Sequence, residues 1–292
     1  MKKIGLALLC VLIIALVFSM ALCSEDTSQD YIKATYLWDA DQIDSMGDEY
    51  LDFARNNRVT DIYLQFDPDV DEEVYEDFIR AAYKIDIGVH LLAGAPDWVS
   101  SDGDENLVDL MDWLTAYQEG VSSKSRFAGI NLDVEFYLYK TRSKYVRRYQ
   151  ELILTAGAYC EENSLILSTT VPFWYEKYDD ELEDQYDNLS EWNISHSDKT
   201  VLMAYRNDIN KSGGVVDIIS DELAYANEED RDLIVALETR ASSEGDHVSF
   251  YGYTKSALNE AMEDLEASLA FDLSYKGLAI HYLDTWMEME ED

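Results

Sequence analysis

From about residue 32 onward, short runs rich in β-branched and aromatic residues alternate with longer stretches whose apolar residues recur every three or four positions. Eight β-rich runs are present: Ile32 to Trp38, Asp61 to Phe66, Ile87 to Ala93, Phe127 to Glu135, Leu165 to Val171, Thr200 to Tyr205, Leu233 to Glu238 and Lys276 to Leu283. Between them, Asp71 to Ile85 places Val74, Phe78 and Ala82 on one helical face, and Arg142 to Glu162 and Thr254 to Phe271 read the same way. A strand followed by an amphipathic helix, repeated, predicts βα units around a parallel sheet. The runs start about 35 residues apart, the length of one strand, one helix and two loops. Eight units favour closure, so the expected fold is α/β, a (β/α)8 TIM-type barrel. The sequence stops soon after the eighth run, at Glu288 to Asp292, so the last outer helix is expected to be missing.

Ahead of the first run, Lys2 and Lys3 precede an uncharged apolar segment from Ile4 to Leu22. This is the shape of an export signal. Three endings are open: cleavage after Ala21, lipid attachment at Cys23, or retention as an uncleaved membrane anchor. The expected organisation is therefore residues 1–23 as leader or anchor and residues 24–292 as one barrel domain. The protein is expected to be extracellular or at the cell surface, with membrane attachment only through the N-terminal segment. Beyond Cys10 and Cys23 only Cys160 remains, which argues against an internal disulfide and for a small apolar packing role.

Charge narrows the partners. The chain carries 60 acidic and 22 basic residues, a formal net charge of −38, with the acids spread through nearly every helical segment. Such a surface repels nucleic acid, which is not expected as a partner. It also repels itself at low ionic strength, so a saline habitat fits as well as simple solubility does. Asp67, Asp69 and Asp71 imitate the start of a calcium loop, but Glu72 stands where the turn glycine belongs and Phe78 where the closing Glu belongs. The stretch is expected to be a solvated loop opening a helix. No metal and no cofactor is expected. Asn188, Asn193 and Asn210 each open an N-x-Ser triplet.

In a barrel of this type, chemistry gathers at the carboxyl ends of the strands. Along Gly129 to Glu135, alternation sends Ile130, Leu132 and Val134 to the helices and Asn131, Asp133 and Glu135 into the barrel. Inward acids this close perturb each other's protonation, which is how a site keeps one carboxyl protonated near neutral pH. Other strand ends bring Trp38 and Asp39, Asp97 and Trp98, Trp174, Tyr205 and Asn207, Glu238, and His281 with Asp284 and Trp286. Aromatic faces stack on pyranose rings, carboxylates and amides bind hydroxyls, and a carboxyl pair cleaves a glycosidic bond. A sugar site is expected.

The fourth run resembles that of glycoside hydrolase family 18, the chitinases and their relatives, which carries D-G-x-D-x-D-x-E. The matching residues are Ala128-Gly129-Ile130-Asn131-Leu132-Asp133-Val134-Glu135. The resemblance implies Glu135 as proton donor and Asp133 as the residue that orients the substrate's acetamido group, the internal nucleophile in that family. The family's M-x-Y-D/N stretch is similar to Met203-Ala204-Tyr205-Arg206 followed by Asn207, which implies Tyr205 as a hydrogen-bond donor to the same group. Ala128 and Asn131 depart from the motif, and the S-x-G-G of the third strand is not found in Leu91 to Ala95. A D-x-E at a strand end also occurs in the lysozyme-like family 25. Retaining barrel glycosidases place one Glu after strand four and another after strand seven, a reading that would make Glu135 the acid/base and Glu238 the nucleophile.

The expected catalytic set is Glu135, Asp133, Tyr205 and Glu238. The expected substrate-binding set is Asn131, Trp38, Asp39, Trp98, Trp174, Asn207, His281, Asp284 and Trp286. Duller roles stand beside these: Asp133 or Glu238 paired with Arg206 or Arg240, the aromatics as packing, and His281 as a satisfied core histidine. Three functions follow: an exported glycoside hydrolase acting on a polysaccharide, a non-catalytic glycan-binding or surface-interaction barrel, and a metal-dependent hydrolase using Asp133, Glu135, Glu238 and His281.

Overall fold

The computed structural model describes residues 31–100, 103–139, 143–179, 182–183 and 185–291. The leader, its three possible endings, Cys10 and Cys23 lie outside the described residues. In chain order the elements are β1 (Ile32–Leu37), α1 (Ile43–Asn56), β2 (Asp61–Gln65), α2 (Glu72–Tyr83), β3 (Gly88–Ala93), α3 (Asp104–Gly120), β4 (Gly129–Leu132) and α4 (Val146–Asn163). They continue with β5 (Ile166–Pro172), α5 (Leu189–His196), β6 (Lys199–Met203), α6 (Val215–Ile218), α7 (Ser220–Glu229), β7 (Asp232–Glu238), α8 (Lys255–Leu269), β8 (Tyr275–His281) and α9 (Leu283–Glu288). Each strand pairs in parallel with the next, and β8 pairs with β1, so the sheet closes as the eight β-rich runs predict. The fourth run behaves differently from expectation, because pairing stops at Leu132 and the chain passes into a 3-10 turn at Phe136–Leu138.

Closure sorts side chains into two layers. Ile130, Leu132 and Val134 pack outward with the apolar faces of the helices, as alternation requires. Inside the barrel a smaller cluster of Ile32, Ala34, Tyr36, Tyr63, Leu92, Val201, Ile234, Ala236 and Ala279 fills the axis. Its polar neighbours satisfy one another. Asn131 Nδ2 donates to Ser168 Oγ at 2.9 Å, Thr170 Oγ1 donates to Asn131 Oδ1 at 2.9 Å, and Tyr36 OH shares a hydrogen bond with Thr170 Oγ1 at 2.8 Å. At the amino-terminal end of the sheet, His90 Nε2 meets Asp61 Oδ1 at 2.8 Å. Burial would raise the Asp61 carboxyl, but the His90 hydrogen bond and charge outweigh it and hold the group below its ordinary value. His90 is thus a structural residue at the stabilising end of the barrel.

After β8 the chain enters the six-residue helix α9. Leu283 and Trp286 are its buried residues. Trp286 meets Phe53 edge-on at 5.1 Å, and the Lys33 ammonium lies 5.4 Å from the Trp286 ring. This short helix packs on β1 and β8.

Several smaller expectations resolve in the same way. Cys160 is buried without a disulfide, and burial pushes its thiol up to about 12. Asp69 N donates to Asp67 Oδ1 at 2.9 Å ahead of α2, a loop opening a helix. Of the glycosylation triplets, Asn193 is fully buried, accepting from Tyr149 OH at 2.5 Å and donating to Thr169 Oγ1 at 2.7 Å, so its amide is out of reach in the folded chain. Among the described residues no helix is long and apolar enough to cross a membrane.

Candidate active site

Strand ends β1, β4, β6, β7 and β8 enclose a cleft of about 570 Å³ lined by Trp38, Asp39, Asp133, Glu135, Met203, Tyr205, Glu238, Arg240, His281 and Tyr282. All four expected catalytic residues line it, together with Trp38, Asp39 and His281.

Asp133 follows the last paired residue of β4, and its amide still bonds to Ala93 O of β3 at 2.9 Å. The close approach depends on Gly94, whose φ is +135° and where a Cβ would sit 2.2 Å from Asp133 O. One carboxylate oxygen of Asp133, Oδ1, is buried and has no hydrogen-bond partner. Burial first, and the neighbouring Glu135 second, raise the Asp133 carboxyl well above its ordinary value. The uncharged acid is the form this environment favours, since an unpaired buried charge is far costlier than an unpaired buried polar group.

Two residues further on, Glu135 Oε1 accepts a hydrogen bond from Tyr137 OH. Tyr137 is buried and meets the Trp174 ring edge-on at 4.8 Å. Sequence reasoning missed this tyrosine because it lies in the 3-10 turn, where strand alternation no longer tells which way a side chain points. Burial, reinforced by the Glu238 charge, raises the Tyr205 phenol well above its ordinary value, so Tyr205 is a neutral O–H donor at the cleft.

The opposite wall is a relay across three strands. Trp38 Nε1 donates to His281 Nε2 at 2.9 Å, His281 Nδ1 meets Glu238 Oε2 at 2.9 Å, and Arg240 N donates to Glu238 Oε1 at 2.7 Å. An indole N–H only donates, so His281 Nε2 must be the accepting nitrogen and Nδ1 carries the proton that faces Glu238. Glu238 therefore pairs with a histidine and a backbone amide, and not with the Arg206 or Arg240 side chain considered from sequence. His281 also meets Tyr36 at 5.3 Å and Tyr205 at 5.8 Å between ring centroids. The peptide bond between His281 and Tyr282 is cis.

Six expected binding residues do not line the cleft. Asn131 is fully buried in the interior network described above. Trp98 lines a separate groove between α3 and α4. Trp174 packs against Tyr137 and Tyr178. Asn207 Nδ2 is occupied by Asp246 O, Ser249 O and Tyr253 OH, which ties the loop after β6 to the loop after β7. Asp284 Oδ1 accepts from Tyr50 OH at 2.7 Å, and Trp286 is buried against α1. Apart from Asn131, which lies within β4, these residues follow the last paired residue of a strand, where alternation no longer sets direction. Among the described residues no group of three or more His, Cys, Asp or Glu side chains is arranged to hold a metal ion.

No protein-family model matches the chain, and no curated protein matches it in sequence. Solved structures do match in shape. A family 18 chitinase from Cycas revoluta, determined in complex with (GlcNAc)4, superposes with a TM-score of 0.55 at 11% identity, covering 87% of this chain and 95% of that one. The barrel has the fold of the family 18 chitinases. A chitinase from Bacteroides thetaiotaomicron gives a TM-score of 0.56 at 12% identity over 87% of this chain and 90% of that one. The spore cortex-lytic enzyme of Bacillus megaterium gives 0.53 at 13% identity over 88% and 73%. At such identities the likeness is one of fold alone.

Proposed function

We propose that this protein is an exported glycoside hydrolase that cleaves a polysaccharide of N-acetylated amino sugars, with Glu135 as the general acid. The observation that carries the reading is the pair at the end of β4: an Asp133 carboxyl with a buried, unpartnered oxygen, two residues from Glu135 in a cleft. A substrate acetamido group would supply the partner that Asp133 lacks. The (GlcNAc)4 complex of the Cycas chitinase supports this choice of sugar.

In the proposed sequence, Glu135 gives its proton to the glycosidic oxygen as the bond to the anomeric carbon breaks. The acetamido carbonyl oxygen of the same sugar closes onto that carbon, while Asp133 holds the acetamido N–H. Glu135, now a carboxylate, takes a proton from the water that reopens the ring intermediate. Tyr205 donates to the acetamido oxygen, and Trp38 and Asp39 contact the sugar. The alternative with Glu238 as nucleophile is less well supported, because both Glu238 oxygens already accept hydrogen bonds.

A second reading, glycan binding without catalysis, draws on Ala128 and Asn131, which stand where the family motif has acids. The separating experiment compares wild type with Glu135→Gln on chitin, peptidoglycan and neutral or acidic polysaccharides. Turnover lost in the variant with binding retained supports the hydrolase. Binding without turnover by wild type removes Glu135 as a catalyst and leaves the binding barrel.

A further inference from the structure

The lining of the cleft holds one cation. Arg240 stands at the end of β7 among Asp39, Asp133, Glu135 and Glu238, in a chain whose formal net charge is −38. Its backbone is fixed: Arg240 N donates to Glu238 Oε1 at 2.7 Å, and Ser249 Oγ donates to Arg240 O at 2.5 Å. Its side chain is exposed, and among the described residues no ion pair joins its guanidinium to a carboxylate. Glu238, the nearest acid in sequence, is taken up by His281. The other arginine at these strand ends, Arg206, is engaged by Gly213 O and Tyr205 O and lies over the Phe173 ring at 5.1 Å.

A guanidinium carried on a hydrogen-bonded backbone at the mouth of an acidic cleft, and in no ion pair among the described residues, has a donor fork to offer to an incoming anion. We propose that Arg240 binds a carboxylate carried by the substrate, so that the preferred glycan is an acidic N-acetylated polymer and not a neutral one. This deepens the hydrolase reading and rests on it for the identity of the cleft. The physical need is specific to this chain. Its acidic surface repels an anionic glycan over roughly a Debye length, about 10 Å at 0.1 M salt, and within that range a direct Arg–carboxylate contact must outweigh the cleft's own acids. The shared chemistry is a sugar-borne carboxylate, whether a lactyl ether as in a peptidoglycan strand or a uronic acid as in a hyaluronan-type chain.

Calorimetric binding to the mature protein tests this with three tetrasaccharides that all carry acetamido groups: a chitin fragment, a peptidoglycan-strand fragment and a hyaluronan-type fragment. Wild type should bind at least one acidic fragment about tenfold more tightly than the chitin fragment at 0.15 M salt, equivalent to about 1.4 kcal/mol. Arg240→Gln should abolish that preference while leaving the chitin fragment within about twofold, and Arg240→Lys should restore part of it. Whichever acidic fragment is preferred identifies the source of the carboxylate. Equal affinity of wild type for all three, or equal weakening of all three by Arg240→Gln, overturns the role of Arg240 while leaving the hydrolase reading intact. Failure of wild type to bind any of the three overturns both. A matched unfolding curve for Arg240→Gln, expected because the side chain is exposed, separates a lost contact from a lost fold.

Discussion

Trp38 Nε1 donates a hydrogen bond to His281 Nε2 at 2.9 Å, joining the first strand of the barrel to the last. Because His281 Nδ1 faces Glu238, the indole plane of Trp38 is held by a buried carboxylate two side chains away. His281→Ala should therefore cost about 1–3 kcal/mol in urea unfolding, the penalty for leaving Glu238 with an unmet hydrogen bond. It should also raise KM more than it lowers kcat, since His281 positions Trp38 and does not touch the proposed bond. An unchanged KM would place Trp38 outside substrate binding.

Asp133 offers a test with a definite sign. Its carboxyl is raised in the folded chain by burial and by Glu135, so the folded state holds this proton more tightly than the unfolded state does. The associated stability is present at low pH and is lost as pH rises from the ordinary carboxylate range toward the raised value. Asp133→Asn removes that loss. The variant should be more stable than wild type at pH 7, by about 1 kcal/mol or more, and should converge with it at acid pH. Turnover should fall by roughly 10²-fold, because an amide accepts the acetamido N–H but cannot ionise as positive charge develops at the anomeric carbon. A variant less stable than wild type at pH 7 would contradict the raised carboxyl.

Gly94→Ala probes the join between β3 and β4. A Cβ at this position meets Asp133 O at 2.2 Å with φ at +135°, so the backbone carrying Asp133 has to move. A loss of about 2–4 kcal/mol in urea unfolding is expected, together with loss of turnover. Stability within 0.5 kcal/mol of wild type, roughly the effect of an ordinary surface change, would refute the close approach.

Away from the cleft, Glu222 in α7 is buried and accepts from Ser190 Oγ at 3.2 Å. Burial, with the charge of Glu176, pushes its carboxyl up to about 7. The sign again favours acid: this contribution is fully present below about pH 4 and declines as pH rises to about 7, by up to about 3 kcal/mol. Glu222→Gln should flatten the pH dependence of unfolding between about pH 4 and about pH 7, the window set by that linkage. A pH profile identical to wild type would show Glu222 charged throughout.

Net charge makes the last prediction. With 60 acids against 22 bases, the folded chain repels itself, and salt screens that repulsion. The thermal midpoint should rise steadily between low salt and about 1 M NaCl, where the Debye length is only about 3 Å. A midpoint that stays level would show that the acids are already offset within the fold.

The eight-strand barrel was legible in the sequence because its causes are local. Continuous apolar runs such as Leu233 to Leu237, expected of strands buried on both faces, and period-3.6 faces such as Val74, Phe78 and Ala82 are set by backbone geometry, and repetition alone implied closure. Alternation also placed Asp133 and Glu135 on the inner side of strand four, two of the residues that line the cleft.

What only the tertiary structure decided is which strand ends meet and where side chains point once a strand has ended. Trp38 and His281 are 243 positions apart, and nothing in either neighbourhood marks them as partners. Tyr137, Trp174, Asn207 and Asp284 all lie beyond a last paired residue, where turns and packing replace alternation. Asn131 kept the predicted direction but was consumed by Ser168 and Thr170, because a polar group on the barrel axis needs partners within the barrel. The sequence determined the frame and the strand-four carboxyls; closure of the barrel assembled the cleft, since hydrogen-bond partners supplied by distant strands exist only after the sheet is complete.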